Sequence, residues 1–305
     1  MAVFGTSDAA VLMPRNIADG MVTDAKTGST VAALSGREPM RFGETDIITF
    51  NDFPKAEFVA EGAEKASTKG TFGSVTAVPR KAQVTMRFNQ EVQWADEDYQ
   101  LGILRELASA GSTALARALD LGVYHRLNPL TGRPITTWTN YLDATTLRVE
   151  TGDTGPDMEV QAAVGLLIAT QRPVNGIAFD PSYAWTLATA RYPDGRKKYP
   201  DLGFGVNIST FEGLPASVGD TVSGRPEAMD SDGDPDDTGV RAIVGDYRGG
   251  IRWGIQRDLP VELIRYGDPD DQGDLKRQNQ IAMRMEIVYG WYVFTDRFAV
   301  VEEVA

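Results

Sequence analysis

Three alternating aspartates come closest to the pattern of a metal site. Asp230, Asp232 and Asp234 have the one-three-five spacing of a calcium-binding loop. Pro235 stands where that loop needs a glycine for its sharp turn, and Arg241 stands where a bidentate Glu would close the coordination shell. We therefore interpret the segment as a solvated acidic loop and predict no metal-binding residues.

The sequence also has few residues suited to metal binding by histidine, thiolate chemistry or phosphate binding. His125 is the sole histidine and there is no cysteine, so a multi-histidine metal site and thiolate chemistry are excluded. We interpret His125 as a residue that stabilises the dipole at a helix end. No Walker-type loop occurs, and the stretch 203–205 lacks the third glycine of a dinucleotide turn. The sequence thus predicts no catalytic residues and no cofactor.

The composition suits a globular protein with a sizeable core. The chain has 305 residues, 42% of them hydrophobic, and a formal net charge of −13. Phosphate binding needs clustered Lys and Arg, so this charge argues against a protein that grips nucleic acid through its overall field. It suits solubility equally well. We find no signal peptide and no apolar run long enough to span a membrane, and we predict no membrane partner.

One long helix is the clearest predicted element, over about 96–127. Acidic residues at 96–98 favour its first turn, and Asn128-Pro129 ends it. Its length would be roughly 45 Å, and its glycines at 102, 111 and 122 predict bending or close backbone approach. Its predicted apolar stripe consists of Leu104, Leu107, Gly111, Ala114, Ala118 and Leu121.

The rest of the chain predicts an arm followed by mixed helices and strands. Residues 1–50 lack a sustained period, and we interpret them as an extended arm with little core of its own. Helices are predicted from Pro156 to Arg172 and from Asp180 to Leu187, around a buried strand at 176–179. Later strands are predicted at 240–244, 251–255, 261–265 and 281–294, and we expect them to pack against the long helix.

Residues 53–88 predict a long hairpin with a soft polar tip. Alternating apolar positions from Val75 to Phe88 give its return arm strand character. The central stretch has too few large apolar groups to bury itself within its own domain. Such a hairpin needs a neighbouring subunit.

Several segments, in this order, resemble the major capsid proteins of tailed bacteriophages. The first is the Phe-Val-Ala-Glu-Gly stretch from Phe58 to Gly62, which precedes a small polar tip, a Lys-rich return strand and an acidic helix start. The order of the pieces makes the resemblance specific, and it covers most of the chain from about residue 50 onward. The other segments lie at 66–71, 80–84, 211–215, 244–247 and 279–301.

The resemblance implies an α+β phage major capsid fold with an N-terminal arm, an extended β-hairpin loop, a long spine helix, a peripheral lobe and an α/β axial lobe. Its intersubunit loop would contain Phe58, Glu61, Gly62, Gly70 and Phe72. The implied domains are the arm 1–50, the loop 51–89, the peripheral domain 90–130 with 250–292, and the axial domain 131–249 with 293–305.

The implied function is a structural subunit of pentamers and hexamers in an icosahedral shell around phage double-stranded DNA. Its partners would be other copies of itself, a portal protein at one vertex, DNA as non-specific content, and separate scaffold or decoration proteins. The protein would be made in the bacterial host cytoplasm and reside in the virion. One alternative is an encapsulin-type nanocompartment shell. Another is a carboxylate-dependent hydrolase, which would need paired carboxylates in a concave pocket.

The resemblance also suggests a covalent cross-link, because some relatives join a loop lysine to an asparagine with help from a glutamate. The corresponding residues here are Lys65 or Lys69, Asn279 and Glu286. A carboxylate in an apolar interface could deprotonate the ammonium and let the amine attack the amide carbon. Both lysines sit among small, flexible residues that would not desolvate an ammonium, so we expect no cross-link.

Overall fold

The computed structural model describes residues 28–50, 56–59, 61, 64, 72–90, 97–152, 155–204, 207–224, 237–258 and 261–303. The helices in them are α1 Thr30–Leu34, α2 Glu97–His125, α3 Pro156–Ala169, α4 Pro181–Thr189 and α5 Tyr247–Gly250. The strands are β1 Thr45–Phe50, β2 Phe72–Asn89, β3 Arg148–Glu150, β4 Gly176–Phe179, β5 Thr210–Phe211, β6 Leu214–Val218, β7 Val240–Gly245, β8 Ile251–Asp258, β9 Glu262–Ile264, β10 Gln280–Val293 and β11 Phe298–Glu302.

The first sheet is antiparallel, with strand order β1-β2-β10-β8 and β9 paired to β10. β2 changes partner along its length: its first six residues pair with β1, and the rest pair with β10. α2 packs on this sheet. Alternate residues of β10 point toward the helix and form much of the shared core, namely Met283, Met285, Ile287, Tyr289, Trp291 and Val293.

The second sheet has the order β3-β11-β7-β4-β6-β5. All four residues of β4 are buried, as predicted, because α3 and α4 cover one face and the main core covers the other. The predicted strand at 240–244 corresponds to β7 and belongs to this sheet, so grouping it with the strands that pack on the long helix was wrong. Side chains along β7 alternate between the two sides of this sheet. Ile243 faces the main core, whereas Ala242 and Val244 face α3 and α4.

α2 is buried on more sides than the predicted stripe allowed. The stripe omitted four residues that are buried in the core, Leu115, Leu119, Val123 and Tyr124. The helix is covered by the first sheet on one side and by α1 on another, so one stripe cannot describe it. Its glycines do permit close approach: a Cβ at Gly111 would collide with Met285, and one at Gly122 would lie 2.8 Å from the ring of Trp291.

The segment ahead of β1 is partly folded into the core. Val31 of α1 is fully buried, and the Ser29 side chain caps the helix by accepting a hydrogen bond from the Ala32 amide. The prediction of an arm with little core is therefore wrong for α1. The arm predicted for residues 1–27 lies outside the described residues.

Candidate intersubunit surfaces and their anchors

β1 and the first six residues of β2 form a two-stranded ribbon that continues outward from the first sheet. In it Phe72 lies opposite Phe50, and Thr45 lies opposite Ala77. Ile48 on the ribbon and Val78 at its base are both exposed. Exposed β-branched apolar side chains on a narrow ribbon favour contact with another molecule.

The predicted loop residues are only partly described. Phe58 is fully exposed and Glu61 is exposed, which is consistent with a surface role. The remaining predicted loop and cross-link residues, Gly62, Lys65, Lys69 and Gly70, lie outside the described residues.

The chain between α1 and β1 forms a strap over paired glycines of the first sheet. Gly254 of β8 lies opposite Gly290 of β10. A Cβ at Gly254 would collide with the backbone oxygen of Glu38, and one at Gly290 would lie 3.1 Å from Met40 Sδ. The Glu38 amide donates to the Trp253 carbonyl at 2.8 Å. The two glycines thus let the strap lie directly on the sheet that carries the ribbon.

Of the proposed cross-link residues, the structure describes Asn279 and Glu286, and it places them apart in one chain. Glu286 of β10 forms an ion pair with Lys81 of β2, with Nζ and Oε1 2.7 Å apart. Asn279 precedes β10 with a left-handed backbone, φ 58°, and its carbonyl accepts a hydrogen bond from the Gln90 amide at 2.9 Å. Glu286 follows Asn279 by seven positions, which is about 23 Å of extended chain. To act as the base for a bond between a lysine and Asn279, Glu286 would have to come from a second copy.

Arg87, near the end of β2, fixes the loop that precedes β10. Its Nε donates to both carboxylate oxygens of Asp270 at 2.7 Å, and its Nη2 donates to Asp268 at 2.9 Å. Nη1 donates to the side chain of Gln278 at 3.1 Å, and Nη2 also donates to the Gly273 carbonyl at 2.9 Å. The hydrogen bond to Asp270 raises the pKa of Arg87 and lowers the pKa of that carboxyl. The hairpin strand and this loop are therefore held together by one guanidinium.

Asp120 of α2 anchors the start of α1. Its buried carboxylate accepts hydrogen bonds from the Thr30 amide at 2.8 Å, the Val31 amide at 3.2 Å and Thr221 Oγ1 at 2.8 Å. Thr30 Oγ1 and Ser29 Oγ also donate to it. Burial raises the pKa of Asp120, while these hydrogen bonds act in the opposite direction.

His125 lies at the end of α2, as its predicted role requires. Its Nε2 lies 2.8 Å from the Val222 carbonyl oxygen, and its Nδ1 lies 3.4 Å from Asp143 Oδ2. Arg241, the residue that breaks the calcium pattern, pairs with Asp237 at 2.9 Å and Glu303 at 2.6 Å. The three aspartates of that pattern lie outside the described residues. Among the described residues, no group of three or more His, Asp or Glu could hold a metal ion.

Solved phage structures share this arrangement over most of the chain. A chain from Mycobacterium phage Ogopogo is 45% identical, and the match covers 90% of this chain and 92% of that one with a TM-score of 0.78. The chain belongs to the major capsid protein family of tailed bacteriophages. A chain from Gordonia phage Cozz is 31% identical to this capsid protein, with a TM-score of 0.77 over 91% of this chain and 87% of that one.

The capsid protein also shares its fold with the capsid of an empty GTA particle, with a TM-score of 0.62 over 91% of this chain and 90% of that one. At 15% identity, this likeness concerns the fold alone. No protein-family model and no curated protein matches the sequence. The capsid protein has a structural role, and no helix in the described part of the chain is long and apolar enough to cross a membrane.

Three anchoring residues of this capsid protein, Asp120, Arg87 and Lys81, were not predicted from the sequence. Asp120 carried a usable signal, because a lone acid between apolar residues of a long helix is either exposed or specifically hydrogen-bonded. Arg87 and Lys81 carried none, because their partners lie far along the chain and depend on the strand register.

Proposed function

We propose that this capsid protein assembles with copies of itself into pentamers and hexamers of an icosahedral shell that encloses phage double-stranded DNA. The ribbon of β1 and β2 bridges neighbouring copies, and the residues between its strands reach onto the next subunit. The observation that carries the proposal is the exposure of Ile48, Phe58 and Val78 along this hairpin.

The shell has partners beyond the protein itself in this proposal. A portal protein occupies one vertex, and any scaffold or decoration protein is a separate chain. DNA is non-specific content, which suits a formal net charge of −13. The subunit is not an enzyme, is made in the host cytoplasm and resides in the virion. The same proposal covers the contact of Lys65 or Lys69 of one copy with Asn279 and Glu286 of other copies. We expect that no covalent bond forms there.

Shortening the loop tests the proposal. Deletion of residues 60–71 removes the tip and leaves β1, β2 and the core intact, so the subunit should keep its circular dichroism spectrum and melting temperature. We expect it to form no closed particles by negative-stain electron microscopy. Closed particles of normal size from the deletion variant would contradict the bridging role.

Two further images complete the test. The unaltered protein should form closed shells, and their absence would contradict the capsid assembly itself. Particles from infected cells should show one portal vertex and packaged DNA. Shells that enclose an enzyme and have no portal would indicate the nanocompartment alternative.

A further inference from the structure

The helices that cover the second sheet have an unusual distribution of charge. α3 carries two acidic residues, and both point inward: Asp157 pairs with Lys198, and Glu159 accepts hydrogen bonds from Tyr183 and from the Gly152 amide. Surface helices normally place charges outward and apolar groups inward. The outer face of α3 is therefore left without a charged side chain.

That outer face of α3 is an apolar saddle. Met158 and Ile168 are 49% and 65% exposed, and the smaller residues Ala162 and Gly165 lie exposed between them, beside the one exposed polar residue of this face, Gln161. A Cβ built at Gly165 meets no atom within 4 Å, so the middle of the face is open. An exposed apolar helix face with a low centre suits the insertion of a bulky group.

A bulky aromatic group is exposed beside α4. Trp185 and Phe204 stack on each other with ring centroids 6.0 Å apart and an interplanar angle of 14°. They are nevertheless 51% and 68% exposed. Lys197 lies beside this aromatic knob, with Nζ 5.3 Å from the centroid of Phe204. Stacked aromatic residues next to a cation are typical of residues that dominate the binding energy of an interface.

We propose that the aromatic knob of one copy, Trp185 and Phe204, packs on the apolar saddle of α3 in the next copy. This inference rests on the proposed function, since it names one contact through which copies join. We take the contact to be heterologous, made once between successive copies, because a contact of that kind can close into a ring.

Charge supports a second copy as the partner. Lys197 lies at the rim of the knob. Glu150 is exposed on β3, the strand that packs beside α3. In a chain of net charge −13, copies approach best where charges are absent or opposite.

Nucleic acid fits the knob less well than a second copy does. Arg196 is paired with Asp194 at 2.5 Å, and Lys198 is paired with Asp157. Phosphate binding needs cations that are free to neutralise it.

Disulfide trapping tests the contact directly, because the chain has no cysteine. Thr186→Cys places a thiol next to Trp185, and Gly165→Cys places one in the saddle. Subunits of the two variants, mixed during assembly and then oxidised, should give a reducible dimer that neither variant gives alone. The double variant should lose most of its monomer band to a ladder. Thr186→Cys mixed with Arg277→Cys, an exposed position on a different loop, is the control and should stay monomeric.

Imaging under reducing conditions separates the possible failures. If shells form and the mixture gives no dimer, the knob contact is wrong while the proposed function stands. Dimers formed by either single variant alone would also overturn the heterologous pairing. If no shells form at all, the proposed function fails, and this inference fails with it.

A steric block gives a second readout. Gly165→Trp fills the saddle and should reduce the number of particles at least about tenfold, while Arg277→Trp, an equally bulky change at an exposed position outside the contact, should assemble normally. Gly165→Trp should fold, because the space beside Gly165 is open. Normal assembly of Gly165→Trp would overturn the inference. So would Trp185→Ala particles that assemble normally and merely retain less DNA, since the knob would then face nucleic acid.

Discussion

Glu286 of β10 is neutralised by Lys81 of β2 in the same chain, with Nζ and Oε1 2.7 Å apart. The carboxylate is 19% exposed, so solvent weakens the pair without removing it. To act as a base toward a lysine of another copy, Glu286 would first have to release this partner. The pair is a second reason, beside the lack of an apolar cluster near the loop lysines in the sequence, to expect no covalent bond.

We therefore predict that mature particles give a single band near the 33.2 kDa monomer on denaturing gels. Glu286→Gln should give the same band, because no bond depends on the carboxylate. Lys81→Ala is the sensitive control, since it frees Glu286 inside the sheet. A ladder in the unaltered protein that disappears in Glu286→Gln would show that the cross-link forms.

The strap over the paired glycines predicts opposite effects for two identical substitutions. Gly254→Ala places a methyl group against the Glu38 backbone oxygen, so either the strap or the sheet must shift, at a cost of about 1–3 kcal/mol. Gly165→Ala adds the same methyl group where a Cβ meets no atom within 4 Å, and it should stabilise the helix by up to about 1 kcal/mol. Urea unfolding of the unassembled subunit measures both. Equal effects would contradict the close contact of the strap.

The Asp120 anchor predicts a large loss on truncation. Asp120→Ala leaves several buried donors of α1 and Thr221 without an acceptor, so the free energy of unfolding should fall by at least about 3 kcal/mol. Asp220→Ala is the control, because that half-exposed carboxylate pairs with Arg117 at the surface, and its loss should cost less than about 1 kcal/mol. Similar losses in the two variants, measured by urea unfolding, would show that Asp120 does not anchor α1.

The lowered pKa of Asp143 predicts that part of the protein's free energy of unfolding is lost in acid. Burial acts to raise its pKa, but the hydrogen bond and charge of His125, together with Arg148, outweigh burial and lower it. A lowered pKa contributes stability that is present above the unfolded value of about 3.9 and is lost as the pH falls through the native pKa. The difference in free energy of unfolding between the unaltered protein and Asp143→Asn should therefore shrink from about pH 6 to about pH 3. Asp271→Asn, an exposed exchange, controls for the loss of one charge.

If that difference instead grew as the pH fell, Asp143 would not be stabilised in its ionised form. Urea titrations at several pH values within this range decide between the two outcomes.

Local sequence signals predicted most individual elements, but not the contacts between distant ones. The strand predicted at 281–294 is observed as β10, Gln280–Val293, because apolar residues recur at every second position along it. The helix predicted from Pro156 begins there and ends at Ala169, since proline and acidic residues mark helix starts. Arg87 and Asp270 are 183 positions apart, and no local pattern could pair them.

The surfaces were harder to predict than the core for a related reason. Periodicity assumes that a helix has one buried side, whereas α2 is covered on several sides. It also assumes that charges point outward, whereas Asp157 and Glu159 of α3 point inward. The aromatic knob joins residues from α4 and a later loop, so only the fold brings them together.

β2 is a single strand of 18 residues, about 60 Å long, and it has a mechanical consequence. Its outer third forms the ribbon with β1, and its inner two thirds pair with β10 in the first sheet. One end of the strand is therefore fixed in the core of the subunit, and the other end projects from it. A load applied to the ribbon by a neighbouring molecule becomes a torque on the whole body, because the strand has no joint at which it could bend. In the proposed shell, contacts made on the ribbon would therefore set the orientation of the whole subunit.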